Sequence, residues 1–180
     1  MRVRQRLPLA LLVPAVLLGA ACSEDTDEEP TATGTMTTAT ATATGTGTVA
    51  AGVVEEAPEG AAEVSVVLRE WAIEPAESSV PAGEVYFLAQ NEGPDDAHEL
   101  VIIRSDAPVD ELPTDDRGFV PEDQVEFIGE IEAFAPGSSA SGVFTLESGR
   151  YILICNIVER EDGEWESHYL EGMRVEFTVE

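Results

Sequence analysis

Lysine is absent from this chain: its nine basic residues are all arginine, set against 36 acidic ones, for a formal charge of −27. So negative a surface excludes nucleic acid and anionic lipid headgroups as partners, since it would repel both. It would instead steer in a cationic protein surface, although acids scattered as widely as these also serve solubility alone. Cysteine and histidine are scarce as well, with two of each. His98-Glu99 has no second histidine at helical spacing, so there is no zincin motif, and no glycine-rich phosphate loop occurs. Long apolar runs are missing except near the N-terminus. That one is broken by Pro8 and Pro14 and falls short of the roughly 20 apolar residues of a membrane span.

The N-terminal run is preceded by the basic head MRVRQR and ends in small residues before Cys22. This order reads as an export signal over residues 1–21. Leu17-Leu18-Gly19-Ala20-Ala21-Cys22 resembles the bacterial lipobox, in which the cysteine is lipidated and becomes the new N-terminus. Gly19 departs from that pattern, which has a larger apolar residue there. Residues 22–63 follow as an acidic, Thr/Ala/Gly-rich stretch whose composition cannot offset its chain entropy, so a disordered tether is expected. As a flexible coil of about 40 residues it would span roughly 35 Å. The expectation is an exported protein, held to the outer face of the cytoplasmic membrane (periplasm or cell surface) by lipid alone.

From Val64 to Glu180 the pattern turns to short runs rich in Val, Ile, Phe and Tyr: VSVVL, VYFLA, ELVII, GVFTL, RYILIC and MRVEFTVE. Pro81-Ala82-Gly83, Asn91-Glu92-Gly93-Pro94, Pro136-Gly137 and Ser148-Gly149 punctuate them as turns. Many short strands with no helical period predict an all-β, antiparallel Greek-key sandwich over 64–180. The acidic, proline-containing stretch 105–124 reads as a long excursion between strands, with room for a short helical turn.

If Cys22 carries lipid, Cys155 is the one remaining thiol of an exported chain, without an internal disulfide partner. The folded part also holds two imidazoles, His98 and His168, and one thioether, Met173. A trigonal His2Cys set with a weak axial Met is the arrangement of mononuclear copper electron-transfer sites. Thiolate and thioether suit Cu(I), imidazole suits either oxidation state, and a rigid cage lets the charge change with little ligand movement. Taken singly, each residue has a plainer reading: a strand histidine, a loop histidine, a core methionine, a small buried thiol. Cys155 with His168 as nucleophile and base lacks a third orienting residue and leaves Met173 unexplained. Asp95-Asp96 and Asp115-Asp116 offer weak calcium donors at most.

The segments Trp71-Ala72-Ile73-Glu74-Pro75, Ser79-Val80-Pro81-Ala82-Gly83-Glu84-Val85, Asn91-Glu92-Gly93 and His98-Glu99-Leu100 resemble the first half of a small cupredoxin. Ala135-Pro136-Gly137-Ser138, Gly149 through Asn156, and His168-Tyr169-Leu170-Glu171-Gly172-Met173 resemble the second half. The resemblance covers nearly all of 64–180. It implies that the first histidine opens a middle strand, the cysteine closes the penultimate strand, and the second histidine and the methionine lie on the loop into the last. It further implies one copper ion on His98, Cys155, His168 and Met173, and electron passage through an exposed edge of His168, with Trp165, Tyr169 and Leu170 beside it. Two departures stand out. Twelve residues separate Cys155 from His168, and their hydrophilic middle, Glu159 to Glu166, reads as a protruding hairpin. Ala97 stands where many relatives carry a side chain that hydrogen-bonds around the thiolate.

The expected function is one-electron transfer by a monomeric carrier that is not an enzyme, since oxygen or nitrite chemistry needs further copper ligands. The partner would be a redox protein with a basic docking surface. Copper capture and delivery through the same ligands, and a metal-free binding sandwich, are the alternatives.

Overall fold

The computed structural model describes residues 49–180. The signal, Cys22 and the tether up to residue 48 lie outside the described residues. Among the described residues no helix is long and apolar enough to cross a membrane.

The chain folds as a β-sandwich. Strands β1 (Ala62–Arg69), β2 (Ala72–Pro75), β3 (Ser79–Val80), β4 (Gly83–Asn91), β5 (His98–Arg104), β6 (Glu126–Phe134), β7 (Ser139–Leu146) and β8 (Gly149–Ile154) come in that order. A hairpin of β9 (Val158–Glu161) and β10 (Glu164–Ser167), one helical turn α1 (His168–Glu171) and β11 (Arg174–Val179) complete it. One sheet has the order β2-β1-β4-β7, the other β3-β11-β8-β5-β6. Most neighbours are antiparallel, as expected, but β1 runs parallel to β4 and β3 parallel to β11.

Alternation decides which side chains meet between the sheets. Val64, Val66 and Leu68 of β1 and Val85, Phe87 and Ala89 of β4 face Leu100, Ile102, Tyr151, Leu153 and Phe177 across the interior. The second sheet is buried on its other face too. There Val101, Ile103, Ile152 and Ile154 pack under Leu112, Val120 and Tyr169, which come from the 105–124 excursion and α1. Double burial explains why ELVII and YILI read as unbroken apolar runs. The excursion ends in a 3₁₀ turn, Glu122–Gln124.

Residues 50–55 belong with the sandwich rather than with a free tether. Ala135 N–H donates to Ala50 O (3.1 Å), Ser141 N–H to Val53 O (2.9 Å) and the Tyr86 hydroxyl to Glu55 O (2.8 Å). An edge strand such as β7 has unpaired backbone groups, and a segment of small residues can satisfy them without contributing to a core.

Candidate metal centre

Four segments bring the chemically distinctive residues together at one end of the sandwich. His98 is the first residue of β5, Cys155 follows the last residue of β8, His168 opens α1 and Met173 precedes β11; all four are fully buried. Local backbone bonds fix their relative positions. Cys155 N–H donates to Met173 O (3.1 Å) and Met173 N–H to His168 O (2.9 Å), so the two strand ends are stitched at the site. Ser167 caps α1, its hydroxyl accepting from Leu170 N–H at 3.2 Å while donating to Gly118 O at 2.8 Å. Gly172 turns the chain from α1 into β11 at φ 132°, in the left-handed region that favours glycine.

The donor atoms form a compact triangle. His98 Nδ1 lies 3.2 Å from His168 Nδ1, and Cys155 Sγ lies 3.3 Å from His168 Nδ1 and 4.0 Å from His98 Nδ1. A point about 2.1 Å from all three exists at the centre of such a triangle, close to the roughly 2.0–2.3 Å of metal bonds to imidazole and thiolate. Thiolate and imidazoles in this geometry, with the thioether of Met173 in the same core cluster, fit a copper ion.

Each histidine turns its other ring nitrogen toward a carboxylate, but only His168 Nε2 comes within hydrogen-bond reach of it, the arrangement that orients a metal-binding imidazole. His98 Nε2 is 3.6 Å from Glu70 Oε1, and His168 Nε2 is 3.4 Å from Glu159 Oε1. Burial would raise the Glu70 carboxyl, but N–H donors led by Asp96, together with His98, bring it below its ordinary value. Burial lowers both histidines to about 4, so both are neutral ligands over the ordinary pH range. Burial pushes the Cys155 thiol up, aided by the charge of Glu99 and opposed by the backbone N–H groups of Glu99 and Ile157. The three metal-free donors are therefore uncharged, and a cation that binds there displaces the thiol proton.

The sequence-derived hairpin is present as β9 and β10, but it sits where an exposed ligand edge was expected. His168 has no solvent exposure, because Glu159 covers its outer nitrogen. The expected exit through an exposed His168 edge is thus corrected. Of its expected neighbours, Tyr169 is buried against the excursion, while Trp165 and Leu170 are exposed at 46% and 54%. The ring that does touch His168, besides His98, is Trp71, edge-on with centroids 4.9 Å apart. Glu70 carried no sequence signal of its own, while Trp71 was visible only as the head of a resembling segment and Glu159 only as part of the hydrophilic hairpin, neither as a neighbour of a ligand. Glu99 was visible as the residue after His98. It accepts from Asn156 N–H (3.0 Å), and burial with the charge of Glu130 pushes its carboxyl up to about 8.

A two-sheet sandwich carrying a buried His2Cys triangle at one end defines a mononuclear soft-metal domain. Its first histidine opens a middle strand, its cysteine directly follows β8, and its second histidine and methionine precede the last strand. Fold and donor set together make this chain cupredoxin-like, with candidate ligands for one copper ion.

No protein-family model matches the chain, and no curated protein does so. Among solved structures it is similar to a dithionite-reduced auracyanin from the photosynthetic bacterium Roseiflexus castenholzii. The two share 27% identity over 67% of this chain and 99% of that one, at a TM-score of 0.49. Auracyanin A, a "blue" copper protein of Chloroflexus aurantiacus, is 17% identical over 67% and 100% of the two chains, with a TM-score of 0.46. Rusticyanin from Thiobacillus ferrooxidans is 14% identical over 73% and 87%, with a TM-score of 0.47. The cupredoxin-like assignment stands on the strand order and donor triangle rather than on these overlaps.

Proposed function

We propose that the chain is a one-electron carrier of the cell envelope, using one copper ion held by His98, Cys155, His168 and Met173. The donor triangle of 3.2, 3.3 and 4.0 Å, made of three fully buried side chains, carries this reading. Bound copper would supply the Cu(I)/Cu(II) couple. The chain's own contribution is to hold the donors still: His98 through β5, Cys155 and Met173 through their shared backbone bond, His168 through the capped turn.

Burial of all four residues favours a carrier over copper delivery, which calls for an accessible, exchangeable ligand. Export, attachment through a lipidated Cys22 and a cationic redox partner complete the proposal. A monomer that carries electrons without catalysing a reaction is expected.

The test is the optical spectrum of the purified protein after addition of Cu(II), with Cys155→Ser beside it. An intense visible thiolate-to-copper band that vanishes in the variant supports the carrier. Tight copper binding without colour would move the reading to delivery. No binding at all would leave a metal-free sandwich.

A further inference from the structure

We infer that electrons enter and leave through Trp71, not through His168, and that the acid-rimmed surface around Trp71 is the docking face for a cationic redox protein. This rests on the carrier reading above. His168 is sealed by the β9–β10 hairpin, with Glu159 across its outer nitrogen, so a partner cannot touch the ring. Trp71 can be touched. Its indole meets the His168 ring edge-on at 4.9 Å and 68°, packs on the core, and is still only partly buried.

The chain wedges Trp71 against the ligand loop. A Cβ on Gly172, between His168 and Met173, would lie 3.1 Å from Trp71 O. The preceding residue ties the same turn to the β4–β5 loop, for Glu70 Oε1 accepts the N–H groups of Asp95 (3.2 Å) and Asp96 (2.9 Å). Asp95, Glu92 and Glu171 are exposed on these segments. The adjacent cation, Arg69, is engaged by Glu74 and Glu92. What is left is an aromatic contact within a negative rim, complementary to a positive surface and suited to brief, steered encounters.

Trp165 does not offer the same route. It is more exposed, but its ring is flanked by the guanidinium groups of Arg160 (4.5 Å) and Arg117 (5.6 Å). Among the described residues, the rings in contact with His168 are those of Trp71 and His98. In the step itself a single electron passes between the metal couple and an outer-sphere, one-electron acceptor. The site is oxidised by one electron and the acceptor reduced by one. The indole is the intervening medium, no bond is made or broken, and no proton moves.

Two measurements on the full chain test this. In stopped flow, the reduced copper form is oxidised by tris(phenanthroline)cobalt(III), with visible spectrum and reduction potential recorded for each variant. Trp71→Leu is expected to slow oxidation about tenfold, within the ~1–3 decades that mutants of one interface span. Its spectrum should not change, Trp71→Phe should keep most of the rate, and Trp165→Phe should keep all of it. In the copper-free chain, hexaamminechromium(III), a redox-inert paramagnetic cation, should broaden the amide signals of Trp71, Asp95, Asp96 and Glu171 first. A coloured Trp71→Leu protein oxidised at the wild-type rate overturns the inference and leaves the carrier reading intact. Broadening centred on residues 110–124 instead overturns the docking face, even if Trp71→Leu fails to fold. A colourless wild-type protein overturns the carrier reading and this inference with it.

Discussion

The outer nitrogen of His168 faces the Glu159 carboxylate at 3.4 Å, so the hairpin that interrupts the ligand loop covers one ligand of the site it interrupts. This contact changes how the site meets solvent. Replacing residues 159–166 by a two-glycine turn is expected to uncover His168 while leaving the donor triangle, which β5, β8 and α1 position. The truncated protein should keep its visible band but lose copper to a chelator about tenfold faster, a change that equals about 1.4 kcal/mol of barrier. Loss of the band followed during chelator challenge measures it, and an unchanged rate would show that the hairpin does not govern access.

Cys155 and Met173 should separate into different roles. Cys155→Ser is expected to abolish the visible band, since the hydroxyl cannot supply the sulfur-to-metal transition. Met173→Leu should keep both copper and colour but raise the reduction potential. Its thioether would donate weakly to a bound copper and thereby favour the more highly charged state, and an isosteric apolar residue would remove that donation. Voltammetry of the two variants beside wild type decides this. A Met173→Leu protein with an unshifted potential would place Met173 among ordinary core residues.

Asn156, the residue after Cys155, holds the 105–124 excursion to the sheet. Its Oδ1 accepts Val120 N–H (2.8 Å), and its Nδ2 donates to Val120 O (2.9 Å), with the residue 4% exposed. Asn156→Ala strands both groups of Val120, and a buried polar group left unpaired costs about 1–3 kcal/mol. The denaturation midpoint should fall accordingly, and faster amide exchange should appear at Leu112 and Val120 before β1 and β4.

Much of this was legible along the chain because ligands are chemically distinctive and strands have a short period. One thiol, two imidazoles and one thioether in the folded part left little choice of donors, and five of the six long strands read from the pattern carry buried apolar side chains at alternate positions. Strand β6 was missed because EFIGEIEAF alternates glutamates and glycine with apolar residues that are mostly only partly buried. The 50–55 arm was missed because backbone hydrogen bonds do not depend on side-chain type. The closure of His168 was hidden for another reason. The hairpin itself showed in the sequence, but the direction in which it folds is set by tertiary contacts, among them that of Ser167 with Gly118.

The acidic cluster on the outer side of β5 and β6 makes stability depend on pH in a definite sense. Burial raises Glu130 on β6 to about 6, with Glu132 on the same strand and Glu122 from the 3₁₀ turn adding repulsion. Glu99 on β5 faces the same group and is raised by it. A carboxyl whose pKa is higher folded than unfolded binds more protons when folded. Its contribution to stability is complete below the unfolded value, about 4.5, and is lost as pH rises through the folded one. Glu130→Gln removes that loss. The melting temperature of the variant minus that of wild type should be flat below about pH 4.5, grow up to about pH 6 as Glu130 ionises, and level off only near pH 8, because Glu99, which the Glu130 charge helps hold up, also ionises more easily in the variant. Melting both copper-free proteins across this range checks it. A difference that stays constant from acid to neutral pH would mean that Glu130 ionises in the folded protein as it does in the unfolded chain.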